Sequence, residues 1–258
     1  MTDARWTGRY LAVLGYHKIG APQAGGCQTW FYVPTDTFER HMAWLSESRW
    51  RVIDVPALLA GLAAPERLPE FSVLLTFDDG YRSMLEVALP LLRGFGFPAV
   101  VFVPTAFVGL SNAFDKGIEP EEPICDWGDL KELQREGVSI QSHGVWHRRF
   151  STLSESQQED ELRHSKALLE ARLETEVDMF SFPYGDTGDK PATSAAGMRR
   201  AGYRAGYLYD GGPQLLPGLD AYRIQRIPMG PDTDLMKALD VSVHRSGRLA
   251  PLPARRVV

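Results

Sequence analysis

The chain has 258 residues, enough for one large α/β domain or two small ones. Its formal charge of -5 at pH 7 gives no electrostatic reason to expect a nucleic-acid partner. The longest apolar stretch, Pro98 to Leu110, is too short to span a membrane and is broken by Pro104 and Thr105. The polar start, Met1-Thr2-Asp3-Ala4-Arg5-Trp6, has no signal-peptide pattern, so a cytoplasmic location is expected, with Cys27 and Cys125 as free thiols.

Taken in order, Tyr10 to Tyr16 reads as a buried strand, followed at once by His17 and a Gly-rich loop. Asp36 with Glu39 predicts a capping box for a helix whose apolar face is Phe38, Met42 and Leu45. Arg51 to Val55 predicts a strand and Pro56 to Leu62 a short helix. The apolar run from Ser72 to Phe77 is a strand that meets Asp78-Asp79-Gly80. A helix through Met84, Leu89 and Leu92 comes next, with Pro90 expected to kink it. Ala99 to Val103 is a further strand, and the loop from Pro104 to Cys125 is too long for a plain connector. Trp127 to Glu136 predicts a helix and Val138 to Gln141 a strand leading into Ser142-His143-Gly144-Val145-Trp146-His147. Ser154 with Gln157 predicts a second capping box, on a helix to about Leu173. Asp178 to Phe182 is a strand ending in Pro183-Tyr184-Gly185. Tyr203 to Leu208 and Tyr222 to Ile227 are the last strands, and Asp234 to Leu239 the last helix. His41 and His164, on predicted helices, are expected at the surface.

Strands alternating with helices mean a parallel sheet. About seven or eight strands point to an irregular (β/α) barrel, with an open doubly wound sheet as the alternative. A single domain is expected over residues 1–244, with a loose basic tail from 245 to 258. No G-x-G-x-x-G comes after the first strand, so no dinucleotide site is expected.

A strand interior cannot hold two free carboxylates, so Asp78 and Asp79 are expected at the carboxyl end of their strand, facing a cavity. There they can hold a cation or move a proton; a helix N-cap is the plainer use. His17, His143 with His147, Tyr184 and Arg226 also stand at predicted strand ends, and in a barrel those ends open on one face. His143 and His147 are four apart, and both imidazoles can reach one cation. Gly144 stands where a metalloprotease helix needs its glutamate. Two imidazoles and one carboxylate make a three-ligand set with an open position.

Thr76-Phe77-Asp78-Asp79-Gly80, Ser142-His143-Gly144-Val145-Trp146-His147 and Phe182-Pro183-Tyr184-Gly185 together resemble the motifs of the polysaccharide deacetylases of carbohydrate esterase family four, also called the chitooligosaccharide deacetylase homology domain. Leu14-Gly15-Tyr16-His17-Lys18-Ile19 is similar to the first strand of the poly-N-acetylglucosamine deacetylase branch. The resemblance implies one divalent metal ion, Zn2+ before Co2+ or Ni2+, held by Asp79, His143 and His147. It implies Asp78 as general base toward the attacking water, His17 as the acid toward the leaving amine, and the Tyr184 backbone N–H as oxyanion donor. It implies an N-acylated sugar, oligosaccharide or lipid-linked sugar as substrate, with Tyr184 and Trp127 lining its groove; for Trp127, a staple on its own helix is the equal alternative. Many members carry an arginine two residues before the motif's proline. That position is Ser181 here, and Arg226 is the candidate stand-in that orients Asp78. His244, the histidine nearest the C-terminus, fits the acid role less well than His17.

Two other readings stand beside this one. An apolar strand running into Asp-Asp-Gly loosely resembles phosphatases with an aspartyl nucleophile, but those separate the two aspartates by one residue. A barrel that binds saccharide without turning it over predicts loss of Asp78, Asp79 or a metal histidine, and all are present.

Overall fold

The computed structural model of the chain describes residues 9–22 and 26–241. The expected boundary at 244, the tail beyond it and His244 lie outside the described residues. β1 (Arg9–Tyr16) is followed by β2 (Lys18–Ile19) and β3 (Tyr32–Val33), which pair with each other. Then come α1 (Thr35–Glu47), β4 (Arg51–Val52), α2 (Val55–Ala63) and β5 (Phe71–Phe77). A π-helical turn, Met84–Ala88, leads into α3 (Leu89–Phe95) and β6 (Ala99–Val103). The long loop precedes α4 (Trp127–Arg135), β7 (Val138–Ser142), α5 (Glu155–Leu173), β8 (Met179–Ser181), α6 (Pro191–Ala201) and β9 (Ala205–Tyr207). β10 (Gln214–Leu216), β11 (Ile227–Pro228) and α7 (Leu235–Ala238) complete the order.

Nine strands form one curled sheet in the order β10-β1-β5-β6-β7-β8-β9, with β11 also on β1 and β4 also on β5. Every pairing is parallel except that of β10 with β1. Segment 224–228 reaches both edges, because Ile224 bridges Tyr207 of β9 and Ile227 pairs with Leu14 of β1. The result is the expected irregular (β/α) barrel in a single domain, with β10 as an antiparallel addition that the sequence pattern did not announce.

Both faces of the strands are buried, as a parallel sheet requires. On β1, Tyr10, Ala12, Leu14 and Tyr16 join the core shared with α1, α3, α4, α5 and α6, while Leu11 and Val13 join the inner core that α2 closes from below. Side chains alternate between faces with a period of two, so every second residue lines the interior. On that inner face Val13 leads to His17 by way of Gly15, Leu74 to Thr76 and Asp78, Met179 to Ser181, and Ile224 to Arg226. Each inner row starts apolar and ends polar; the first three end at the carboxyl ends of β1, β5 and β8, whereas the strand expected over Tyr222 to Ile227 is reduced to the Ile224 bridge and β11, and Arg226 stands just before β11.

Three local expectations change. Pro34 is the N-cap of α1, two residues before Asp36, so the Asp36–Glu39 box does not form; Asp36 sits in the first turn and pairs with Arg40 at 2.7 Å. His41 is buried rather than exposed, with its Nδ1 3.1 Å from the Tyr16 hydroxyl. The break at Pro90 is taken up by the π-helical turn before it, which leaves the proline in the first turn of α3, where its missing N–H is harmless. The Ser154–Gln157 capping box forms as expected.

Candidate active site

Three residues at the mouth of the barrel hold left-handed backbone that side chains other than glycine seldom adopt: Asp79 (φ 69°), His147 (φ 51°) and Tyr184 (φ 59°). Strain of this kind, about 1–3 kcal/mol per residue, persists only where the surroundings impose it, and it clusters at functional sites. Two glycines let the chain approach this closely. A Cβ at Gly144 would lie 2.9 Å from Glu161 Oε2, and one at Gly185 would lie 2.7 Å from the Tyr209 backbone nitrogen. Glu161 is buried and accepts the Val145 and Trp146 N–H groups at 2.5 and 3.0 Å, pinning the turn between the two histidines.

Asp78 and Asp79 come directly after β5 and are both buried. Their side chains serve different partners. Asp78 accepts two parallel bonds from Arg226, Nη1 to Oδ1 and Nη2 to Oδ2, each 2.6 Å. Arg226 is wholly buried and also donates to the Leu208 carbonyl, the Thr76 hydroxyl and the Ser181 hydroxyl, at 2.8, 3.3 and 2.8 Å. Burial raises the Asp78 pKa, but the charge and hydrogen bonds of Arg226 outweigh it and hold the carboxyl well below the usual range. Asp78 is therefore ionised at any ordinary pH.

Asp79 has no such partner. Its Oδ1 is buried without a hydrogen-bond donor, 3.5 Å from His143 Nε2 and 3.2 Å from His147 Nε2. Burial raises the Asp79 pKa. Burial also lowers the pKa of His143, and that of His147 to about 4, so both imidazoles are neutral. His143 Nδ1 lies 2.7 Å from the Ser181 carbonyl, which can only accept. The proton therefore sits on Nδ1, and Nε2 turns a lone pair toward Asp79. One ligand atom from each of Asp79, His143 and His147 lies within 4.8 Å of the others. Buried lone pairs converging on an undonated carboxylate oxygen are satisfied by a cation, so these residues fit a divalent metal ion.

His17 is half-buried beside this cluster. Its Nδ1 lies 3.2 Å from the Tyr209 hydroxyl, and Phe31 packs on its ring at 4.7 Å. Burial lowers its pKa to about 4, against the pull of Asp79 and Asp78. The Tyr184 hydroxyl lies 3.1 Å from His147 Nδ1 and donates to Asp115 Oδ1 at 3.2 Å. Trp127 is not brought to this cluster: its ring packs on the outer core, with the Arg172 guanidinium of α5 at 5.4 Å. The aromatic wall beside His147 is instead Phe114 at 4.1 Å and Tyr184 at 4.6 Å, with Trp146 exposed nearby against Phe107.

Sequence reasoning placed Asp78, Asp79, His17, His143, His147, Tyr184 and Arg226 at strand ends, and the fold assembles all seven. It missed Glu161, Asp115 and Tyr209, which sit in a helix and in loops with no motif around them. The one available signal was the length of the loop that carries Asp115. Among the described residues, no helix is long and apolar enough to cross a membrane.

The polysaccharide deacetylase family matches the chain over residues 66–206. YxkH of Bacillus subtilis, a putative polysaccharide deacetylase by name, is 27% identical over 202 residues, which are 78% of this chain and 65% of that protein. The poly-beta-1,6-N-acetyl-D-glucosamine N-deacetylase of Escherichia coli K12 is 24% identical over 221 residues, 72% of this chain and 32% of that protein. The chain thus spans less than two thirds of the length of either relative. Among solved structures, the Streptococcus pyogenes deacetylase PplD superposes with a TM-score of 0.76 at 21% identity, covering 90% of this chain and 99% of that one. IcaB from Ammonifex degensii superposes with a TM-score of 0.74 at 23% identity, covering 87% and 94%. At these identities the structures speak for the fold alone. The family match covers more than half of the sequence and includes the Asp78–Asp79 and His143–His147 motifs, and the chain belongs to the polysaccharide deacetylase family.

Proposed function

We propose that the protein is a metal-dependent N-deacetylase that hydrolyses the acetamide of an N-acylated sugar, oligosaccharide or lipid-linked sugar. The observation that carries this reading is the donorless Asp79 Oδ1 facing the Nε2 atoms of His143 and His147, beside an Asp78 that is ionised and clamped. Two imidazole nitrogens and a carboxylate suit one Zn2+, and Co2+ or Ni2+ use the same donors. Held there, such an ion would polarise the amide carbonyl and acidify water.

The chain's own groups divide the remaining work. Asp78 takes a proton from the attacking water as its oxygen bonds to the carbonyl carbon. The pair from Arg226 fixes the carboxylate plane and keeps it ready to accept. The Tyr184 backbone N–H donates to the developing oxyanion. His17 delivers a proton to the amine nitrogen as the carbon–nitrogen bond breaks, giving a free amino sugar and acetate. Because His17 rests neutral, it must take up a proton within the site before it can donate. A poly-N-acetylglucosamine deacetylase among the relatives supports N-acetylglucosamine units as the first substrates to try. Phe114 and Tyr184, rather than Trp127, are the rings nearest to where the sugar would lie.

The test is bound metal per chain, with acetate release from N-acetylglucosamine oligomers, for the wild type beside His143→Ala. About one ion per chain and chelator-sensitive acetate release, both lost in the variant, support the reading. Absence of metal uptake after soaking with divalent ions overturns it.

A further inference from the structure

The two metal-facing histidines have their far nitrogens held in different ways. His143 Nδ1 meets a backbone carbonyl, an acceptor that cannot change role. His147 Nδ1 meets the Tyr184 hydroxyl, which can donate or accept. If that hydroxyl donated to Nδ1, the imidazole proton would move to Nε2 and block the lone pair that should face the metal. Asp115 removes the ambiguity. Its Oδ1 lies 3.2 Å from the Tyr184 oxygen, and a carboxylate can only accept, so the hydroxyl proton points to Asp115. The Tyr184 oxygen is then left to accept from His147 Nδ1–H.

We propose that Asp115, acting through the Tyr184 hydroxyl, is a positioning residue of the metal site that fixes the tautomer and aim of His147. This rests on the metal-site reading above and adds a residue to it from outside the three motifs. The surroundings hold the relay in place. Phe114, next to Asp115, lies on the His147 ring at 4.1 Å, and the Arg149 guanidinium covers the Tyr184 ring at 4.1 Å.

The loop that delivers Asp115 is a folded excursion with anchors of its own. Lys18 and Glu119 form a buried ion pair at 2.7 Å, and Thr29 also donates to Glu119 at 2.6 Å. Tyr32 donates to Glu122 at 2.7 Å. Asn112 bonds Pro120 and Glu122 across the loop at 3.0 and 2.8 Å. With these in place, the Asp115–Tyr184 bond is not needed to keep the loop folded. Its distinctive effect is on His147.

The experiment measures Zn2+ affinity by competition with a chromogenic chelator, and the visible spectrum of the Co2+ form, for wild type, Asp115→Asn, Tyr184→Phe and the double variant. Thermal unfolding of the metal-free proteins is the folding control. Asparagine can donate to the hydroxyl and so restores the ambiguity without removing bulk. Loss of a partner behind a metal histidine typically weakens binding by about 10–100-fold. The expected result is a loss of about tenfold in each single variant, a shifted Co2+ band, little change in unfolding temperature, and a double variant no weaker than Tyr184→Phe. Wild-type affinity and spectrum in Asp115→Asn would overturn the relay while leaving the proposed function standing. Losses that multiply in the double variant would also overturn it, since they would place Asp115 on an independent path. A wild type that takes up no ion overturns both readings together.

Discussion

Arg226 grips Asp78 through both carboxylate oxygens at 2.6 Å, in a site where both side chains are buried. The two residues are far apart in sequence and come together because segment 224–228 closes the barrel against β1 and β9. Ser181 occupies the position from which many family members offer an arginine. Its hydroxyl accepts from Arg226 at 2.8 Å, and the guanidinium reaches Asp78 from the segment just before β11.

Removing that guanidinium outright would leave a buried carboxylate unpaired, a change of about 3–5 kcal/mol that risks the fold. Arg226→Lys keeps the charge and loses the fork. Its metal content should stay at the wild-type level while turnover falls at least about tenfold, an estimate from the usual size of positioning effects. Unchanged turnover in a folded Arg226→Lys protein would remove Arg226 from the catalytic machinery.

Asp78 and the metal residues should separate cleanly. Asp78→Asn is expected to keep its metal and lose about 10²–10⁴-fold in turnover, the usual contribution of a general base. His147→Ala is expected to lose metal affinity itself. Elemental analysis of both variants decides the assignment: a metal-free Asp78→Asn would make Asp78 a ligand, and full metal affinity in His147→Ala would remove that histidine from the set.

His17→Ala should lower turnover with little change in metal content. Tyr209→Phe, which removes the hydroxyl 3.2 Å from His17 Nδ1, should lower it less. Assaying His244→Ala in parallel tests where the acid comes from. If His244→Ala loses turnover and His17→Ala does not, the proton is delivered from the C-terminal end of the domain.

Stability of the metal-free protein should fall as pH drops from about 6.5 to about 4. An unfolded histidine takes up its proton near 6.5, whereas burial holds folded His147 neutral down to about 4. Across that window the unfolded chain binds more protons, so acid favours it. Asp79, whose pKa is raised by burial, acts in the opposite sense, while His17 and His143, lowered by burial, act in the same sense as His147. Denaturant midpoints measured between pH 7 and 4, with and without His147→Ala, check the sign; a midpoint that rises on acidification would contradict it.

The candidate catalytic and metal-binding residues were legible because each sits at a motif. Asp78 and Asp79 stand where an apolar strand ends, His143 and His147 flank a glycine after another strand, and Tyr184 lies between Pro183 and Gly185. Strand periodicity was enough to place these residues at the mouth of a barrel, since in a parallel sheet the carboxyl ends share one side. The motifs left two uses open for Trp127, a sugar platform or a staple on its own helix, and the ring turns to Arg172 and the outer core. Periodicity failed at His41, because a helical pattern does not say which neighbour will bury a polar ring.

By itself the sequence determined the family, the strand–helix order and the set of candidate metal donors, because these depend on residue type and local spacing. Only the tertiary structure decided the pairings. It set Arg226 on Asp78 and Asp79 before two imidazoles, groupings the resemblance had implied, and added two contacts that no motif marked, Tyr209 to His17 and Asp115 behind Tyr184. Each of those contacts joins segments distant in sequence, and closure of the barrel brings them within hydrogen-bond range. The donor at one end carries no local mark of the acceptor it will meet.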